Sequence, residues 1–274
     1  MEKTFSTPEP VSLYVEIGAG DVNVHAHDEM DETQVIIDGH DADAVTVEQR
    51  GDQIVVLAPP KHGGLFSTSS KLNVTVILPG DSSLSTKLGS ADLDASGRYG
   101  SSKVRSGSGD VQVEEFGSDA VVETGSGDIS IDTVLGDLRV KSGSGDVEVR
   151  RLDSSTVIST GSGDVALGTA KDDALVKSGS GDVLVTDAHS DLTMSTASGD
   201  LTVRAFHRGA VQAKAVSGDV RVGVPAGIPV WTDISCVSGR VSSTLEGAGQ
   251  PEEGEQFVEI RATTVSGDIR LEQL

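Results

Sequence analysis

Aspartate residues return along this 274-residue chain at an interval that could line up their carboxylates. The first seven are eighteen residues apart, and all but the first directly follow a glycine. They are Asp92, Asp110, Asp128, Asp146, Asp164, Asp182, Asp200, Asp219 and Asp268, with Arg240 in the equivalent place between the last two. Further aspartates stand halfway between some of them, at Asp119, Asp137, Asp173 and Asp191. Rows of carboxylates are typical ligands of Ca²⁺.

Two interpretations of these aspartates stay open. A nine-residue rhythm of Gly and Asp is similar to the calcium-binding nonapeptide β-roll, Gly-Gly-x-Gly-x-Asp-x-apolar-x. Here the aspartate follows glycine directly, the double glycine is absent, and the halfway positions Ser155 and Gly209 lack a carboxylate. We therefore favour a structural role at a turn, in which each carboxylate accepts backbone N–H groups. The sequence predicts no required cofactor, and Ca²⁺ binding at these turns is the alternative.

Few other residues could do chemistry. A β-helix enzyme that cleaves polysaccharides needs a local, non-repeating group of acids with a basic partner. The candidate acids form two clusters, Asp28, Glu29, Asp31 and Glu32, and Asp38, Asp41 and Asp43. Both have the composition of ordinary acidic loops, so we expect no catalytic residue and keep such an enzyme as a second alternative. His25 and His27 would share a strand face, where solvent-facing histidines are commoner than metal ligands.

The same repeat predicts the strands that position these residues. With the aspartate as position 1, positions 2 and 4 are apolar in successive coils, and so are positions 11 and 13, so each coil contains two short strands. Position 7 is apolar as well and predicts an inward corner residue: Phe116, Val134, Leu152, Ala170, Ala188 and Phe206. Fixed self-similarity of this kind marks a stack of coils.

Small hydroxyl residues occupy positions 15 and 17. If the alternation continues, both positions point inward and stack as Ser/Thr ladders, with the intervening glycines bending the corner. The pairs include Ser106 and Ser108, Thr124 and Ser126, Ser142 and Ser144, Thr160 and Ser162, Ser178 and Ser180, and Thr196 and Ser198. On this interpretation Ser144→Leu overpacks a narrow wall. Cys236 aligns with Thr196 and Ala215 and is expected to be a buried small side chain.

The ends of the chain are less regular than its middle. We expect one continuous domain made of irregular coils and a cap over residues 1–87, regular eighteen-residue coils over 88–219, and longer coils over 220–274. Turn-forming residues predict loops from Ala58 to Ser70 and from Glu246 to Glu255. No helix is encoded convincingly.

Composition narrows the function. Thirty-three glycines and only eight aromatic residues indicate a core of small and β-branched side chains. The formal charge of −22 argues against nucleic acid and anionic membrane surfaces as partners. The chain as written has no signal peptide and no long apolar segment, so we expect a cytoplasmic protein without membrane insertion. A single cysteine excludes an internal disulfide.

The Ser/Thr-Gly-Ser-Gly-Asp-Val-x-Val repeats resemble the bacterial DUF4097 family of "putative adhesins", and so do the Val-Pro-Ala-Gly and Leu-Pro-Gly segments that precede Ser-Gly-Arg and Ser-Ala-Asp. The resemblance extends over essentially the whole chain. It implies an all-β, right-handed parallel β-solenoid, a single-stranded β-helix, with an adhesin-like role in which the chain associates with the cell envelope through a partner. It brings no catalytic residues.

The predicted function is a non-catalytic scaffold or interaction module. A ligand would lie on the outward positions between the inward valines, Gln112, Ser130, Glu148, Ala166, Leu184, Thr202 and Arg221. The partner, a protein or a surface glycan, stays open, as does assembly into a homo-oligomer.

Overall fold

The computed structural model describes residues 1–59, 71–246 and 257–274 and is built almost entirely of β-strands. It divides into two compact units, residues 1–137 and 138–274. Unit 1 contains β1 Glu2–Ser6, β2 Ser12–His27, β3 Glu32–Gly39, β4 Thr46–Arg50, β5 Gln53–Leu57, β6 Leu72–Pro79, β7 Ser83–Tyr99, β8 Ser102–Ser106, β9 Val111–Phe116, β10 Ala120–Thr124 and β11 Ile129–Val134. Unit 2 contains β12 Leu138–Ser142, β13 Val147–Leu152, β14 Thr156–Thr160, β15 Val165–Ala170, β16 Ala174–Ser180, β17 Val183–Ala188, β18 Leu192–Ser198, β19 Leu201–Phe206, β20 Gly209–Ser217, β21 Val220–Val224, β22 Val230–Ser238, β23 Val241–Ser243, β24 Val258–Ser266 and β25 Ile269–Gln273. The described residues include one short 3-10 helix, Ala42–Ala44.

The regular coils confirm the predicted parallel β-solenoid with a period of eighteen residues. Each has one strand at positions 2–7 and a second that begins at position 11 and ends at position 15 or, in β16 and β18, at position 17. In unit 2, β13 pairs in parallel with β15, and β15 with β17, so that Val147, Val165 and Val183 stand in one column. The second strands behave alike, since β14 pairs with β16 and β16 with β18. Every hydrogen-bonded neighbour is therefore the equivalent strand of an adjacent coil.

The core consists of the positions that the repeat predicts. Side chains at positions 2, 4, 7, 11 and 13 are buried in both units, including Val111, Val113 and Phe116 of one coil. Burying a Val, Leu, Ile or Phe side chain stabilises a fold by about 1.5–3 kcal/mol. Stacked coils repeat this gain at every level, which offsets the scarcity of aromatic side chains.

The prediction that position 17 points inward is wrong. Ser106, Thr124 and Ser142, at position 15, are buried, whereas Ser108 and Ser144, at position 17, are exposed. The alternation stops because the chain turns after position 15. The Ser142 hydroxyl donates to the Gly145 carbonyl at 2.9 Å and accepts from the Gly145 N–H at 3.1 Å. The same turn is closed by Ser106 on Gly109 and by Thr160 on Gly163.

The glycine that ends this turn is required for space. A Cβ atom on Gly109 would lie 1.9 Å from the Ala91 carbonyl oxygen, and one on Gly163 would lie 2.0 Å from the Gly145 carbonyl oxygen. Both distances are far inside van der Waals contact with backbone atoms that cannot move aside. The corner therefore needs glycine because a neighbouring coil passes directly over it.

Unit 1 begins with strands that depart from the simple stack. The long strand β2 pairs in parallel with β5, β6 and β7, while β3 runs antiparallel to both β1 and β6. Tyr99 is fully buried there, and its hydroxyl donates to the carbonyl oxygens of Val24 and Ser96 at 2.8 and 2.9 Å. Burial raises the pKa of Tyr99 above its ordinary range.

The last coils of unit 2 do not stack in sequence order. Strand β24 pairs with β20 on one side and with β22 on the other, and β25 likewise pairs with β21 and β23. Residues 258–273 therefore lie between two coils that precede them in the chain. The inward positions suit this order, because Ile260 of β24 is apolar and fully buried, whereas its partner in the outer strand β22 is Thr232.

Several predictions lie at or beyond the limits of the described chain. The loop expected from Ala58 to Ser70 falls outside the described residues except for its first two positions, and that from Glu246 to Glu255 except for its first. The predicted domain boundaries at residues 87 and 219 stay a prediction. Within the described ranges, no helix has the length and apolar character needed to cross a membrane.

Candidate functional site

The repeated aspartates form hydrogen-bonded rows in each unit. In unit 1, Oδ1 of Asp92 accepts the Asp110 N–H at 2.9 Å, and Oδ1 of Asp110 accepts the Asp128 N–H at 2.9 Å. The carbonyl of each following aspartate accepts in return, as from Leu93 to Asp110 at 2.8 Å. The aspartate thus joins its own coil to the next through both its side chain and the adjoining backbone.

The row in unit 2 is longer and follows the spatial order of the coils. Its links, each from a backbone N–H to Oδ1 of the preceding aspartate at 2.7–2.9 Å, run through Asp146, Asp164, Asp182, Asp200, Asp219, Asp268 and Arg240. Arg240 ends the row and supplies an N–H without a carboxylate. For Asp164, Asp182 and Asp200, the second oxygen, Oδ2, makes no hydrogen bond within the described part of the chain. These three carboxylates therefore present their charge to solvent.

A groove of about 840 Å³ runs beside this row in unit 2. One edge is formed by the four carboxylates of Asp146, Asp164, Asp182 and Asp200. Five of the seven outward positions that the sequence predicts as a ligand face line the groove: Glu148, Ala166, Leu184, Thr202 and Arg221. Ala166 and Leu184 are small or apolar and half-buried, so the middle of the floor is apolar beneath an acidic edge. Gln112 and Ser130 occupy equivalent positions in unit 1.

One end of the groove carries mixed charge. Arg204, Arg221 and Glu272 line it together with Leu274, and Arg221 Nε lies 3.7 Å from Glu272 Oε1. Both partners of this pair are nearly half exposed, so the contact adds little stability. At the other end, Glu148 adds a further carboxylate. The groove is therefore acidic along the row of aspartates, while Arg204 and Arg221 stand at one end and Arg150, whose Nε lies 3.7 Å from Glu148 Oε1, lies beside the other.

The halfway aspartates repeat the same bond less regularly. Asp119 accepts the Asp137 N–H at 3.0 Å in unit 1. In unit 2, Asp173 accepts from the Asp191 N–H at 3.2 Å and from the Ser190 hydroxyl at 2.7 Å, and Asp191 accepts from the Ala210 N–H at 2.9 Å. The structural role of these aspartates stays the prediction, and Ca²⁺ binding by either set stays the alternative.

The other residues singled out from the sequence are scattered. Of the first cluster of acids, all but Glu32, which begins β3, lie on the turn between β2 and β3. Of the second, Asp38 lies near the end of β3, and Asp41 and Asp43 lie at the 3-10 helix that follows. His25 Nδ1 lies 2.8 Å from Ser96 Oγ, and His27 is exposed. Cys236 stands in the predicted column, opposite Thr264, but is only half-buried because its coil is the outer one.

A group that the sequence analysis missed lies at the ends of β17 and β19. Oδ2 of Asp187 lies 2.8 Å from His189 Nε2, and Oδ1 lies 2.6 Å from His207 Nε2. The two imidazole rings are stacked, with centroids 4.4 Å apart. Burial raises the pKa of Asp187, but the hydrogen bonds to both histidines outweigh it and leave the pKa below its ordinary value. The signal was visible in the sequence, because His189 and His207 are eighteen residues apart.

A second charged group lies at the equivalent corner of β13 and β15. The guanidinium of Arg151 donates to both carboxylate oxygens of Asp153 at 2.9 and 2.7 Å, and Lys171 Nζ lies 3.1 Å from the same carboxylate. The hydrogen bond from Arg151, with that from Lys171, lowers the pKa of Asp153 to about 2. At both corners, therefore, a carboxylate pairs with one side chain of its own coil and with one of the next coil.

No match is found among the curated proteins. A "putative adhesin" from Parabacteroides distasonis ATCC 8503 is 13% identical, with 98% of this chain and 96% of that chain covered and a TM-score of 0.48. A "putative lipid binding protein" from the same organism is 12% identical, with the same coverage and a TM-score of 0.47.

A "putative cell adhesion protein" from Clostridium sporogenes ATCC 15579 is 12% identical and covers 100% of this chain and 99% of that chain, with a TM-score of 0.22. Similarity at this level says nothing about what this chain binds. The family described as Toastrack DUF4097 matches residues 12–272, nearly the whole length. The chain therefore belongs to the DUF4097 family.

Proposed function

We propose that this chain is a non-catalytic, adhesin-like binding module and that the groove of unit 2 holds an extended segment of a partner protein that is rich in lysine. The observation that carries the proposal is the row of four carboxylates along one edge of the groove. Hydrogen bonds from the backbone hold each carboxylate in place, so the charges are positioned before a ligand arrives.

Charge complementarity selects the occupant. Coils in such a stack are about 4.8 Å apart, so the row presents one negative charge at each such step. The long, flexible side chain of lysine can adjust to this spacing, while its aliphatic stem can lie on an apolar floor such as that formed by Ala166 and Leu184. The formal charge of −22 adds a long-range attraction for a cationic segment.

Binding without turnover agrees with the arrangement of the groove. Catalysis needs one place where an acid, base or nucleophile differs from its surroundings. The row offers the same carboxylate at every level, each bonded in the same way to the next coil. A row of equivalent carboxylates can make many similar contacts with an extended ligand. Any association with the cell envelope would come through the bound partner.

The test is fluorescence anisotropy with a labelled peptide in which lysine alternates with alanine. Asp164→Asn and Asp182→Asn, combined, remove two charges yet keep an oxygen that can accept the backbone N–H. We expect Kd to rise roughly 2–30-fold, since an exposed ion pair contributes about 0.2–1 kcal/mol. The affinity should also fall as salt is added.

The matched control is Asp92→Asn with Asp110→Asn, the same change in the equivalent turns of unit 1. It should leave the affinity unchanged. The proposal is contradicted if both double variants bind the peptide alike, if a peptide with glutamate in place of lysine binds as well, or if only neutral glycans bind.

A further inference from the structure

Asp187, His189 and His207 bring three ligand atoms to one place on unit 2. The histidines directly follow β17 and β19, which pair in parallel with Ala188 opposite Phe206. Backbone hydrogen bonds fix both positions, from the His189 N–H to the Ala170 carbonyl at 2.9 Å and from the His207 N–H to the Ala188 carbonyl at 3.0 Å. The register of the coils therefore dictates that the two rings stand side by side.

The rings also point the same way. They lie 7° from parallel, and Nε2 of each approaches a different oxygen of the Asp187 carboxylate. One ligand atom from each residue lies within 4.8 Å of the others. Among the described residues, this is the one group of three or more His, Cys, Asp or Glu side chains that is close enough to share an ion.

We propose that Asp187, His189 and His207 form a binding site for one divalent transition-metal ion, such as Zn²⁺, that links two neighbouring coils. Two imidazoles and one carboxylate are a ligand set typical of Zn²⁺ and of its neighbours in the first transition series. Ca²⁺ and Mg²⁺ prefer oxygen ligands, so neither fits this set. Each of the three side chains is about one third exposed, so an ion can enter and water can complete its coordination.

Metal binding requires only local rearrangement. The imidazole nitrogens that now share protons with Asp187 become ligands, and the protons move to Nδ1 or are released to solvent. The backbone carbonyl of His189 is already held, since the Arg208 side chain donates to it from Nε at 2.5 Å. Because the two histidines belong to consecutive coils, the ion would act as a crosslink between them.

The direct test is isothermal titration calorimetry of the whole, untagged chain with Zn²⁺ after treatment with EDTA. We expect one ion per chain, and a higher melting temperature in its presence. His189→Ala and His207→Ala should each weaken binding by at least about tenfold. Circular dichroism checks that the variants fold, and Asp187→Asn, which keeps the shape of the side chain, gives a second route to the same loss.

Control variants separate this site from other ligands in the chain. His25→Ala, His27→Ala and Cys236→Ser should leave Zn²⁺ binding unchanged, and excess Ca²⁺ should not compete. Co²⁺ should give visible absorption bands that are lost in the His189→Ala variant. The proposal is overturned if no Zn²⁺ binds, or if the folded double variant His189→Ala, His207→Ala binds it as the unaltered chain does.

Discussion

Two serines in one turn, Ser142 and Ser144, face opposite environments. The Ser142 hydroxyl is buried and bonds both backbone groups of Gly145. Ser142→Ala leaves these two groups without their partner, so we expect a loss of about 1–3 kcal/mol in the free energy of unfolding. Ser144→Leu places its side chain in solvent and should change stability by no more than about 0.5 kcal/mol.

Urea unfolding of both variants measures this difference. The turn assigned here would be refuted if Ser144→Leu were the more destabilising change, as an inward position 17 requires. Ser108 and Ser106 in unit 1 offer an independent pair with the same geometry.

Asp153 should make stability depend on pH in the acid range. Its pKa is lowered from 3.8 to about 2, so the folded state favours the charged carboxylate. The resulting stabilisation is complete above the unfolded pKa and is lost as the pH falls from about 4 to about 2. Asp153→Asn should therefore lower the melting temperature at pH 7 but hardly at pH 2. A deficit that is equal at both pH values would rule out this ion pair as the cause.

Strand order at the end of unit 2 gives a prediction at the scale of elements. Strand β24 lies between β20 and β22 and fully buries Val258 and Ile260, whereas β22 leaves Trp231 exposed. Local opening is easiest where few apolar contacts hold a segment. Amide hydrogen exchange should be slower over residues 258–266 than over 230–238. The reverse order of protection would indicate that the coils stack in sequence order.

Most elements could be predicted from the repeat, because positions 2, 4, 7, 11 and 13 alternate as strands and corners require. The error at position 17 arose because alternation was carried through a turn that Ser142 and its equivalents close. The order of the last coils could not be predicted from the repeat, because equivalent coils can pair with one another in any order. The apolar content of their inward positions decides which coil lies inside. The groove lining was predicted in part, through Glu148, Ala166, Leu184, Thr202 and Arg221.

The metal-binding group was missed for a different reason. His25 and His27 are close in sequence and so suggest a shared site, whereas His189 and His207 are related only by the eighteen-residue interval. In this solenoid, residues eighteen apart occupy equivalent places on neighbouring coils and therefore lie side by side. Asp187 completes the group because it precedes His189 by two residues.

For the whole chain, we expect folding to be independent of calcium. Each repeated carboxylate in unit 2 already accepts a backbone N–H from the next coil, and the apolar side chains are buried in the core of the stacked coils. Far-UV circular dichroism and thermal melting should be the same with EGTA as with added Ca²⁺. A β-sheet spectrum that develops only when Ca²⁺ is added would favour the calcium-binding β-roll.

The claim that the groove works as a row of equivalent contacts is tested most directly by neutralising its carboxylates one at a time. Asp146→Asn, Asp164→Asn, Asp182→Asn and Asp200→Asn would each be titrated with the lysine peptide under the same salt conditions. We predict that each variant weakens binding by a similar factor of about 1.5–5, and that the losses add when variants are combined. Complete loss of binding in a single variant would instead reveal a unique site and contradict this account.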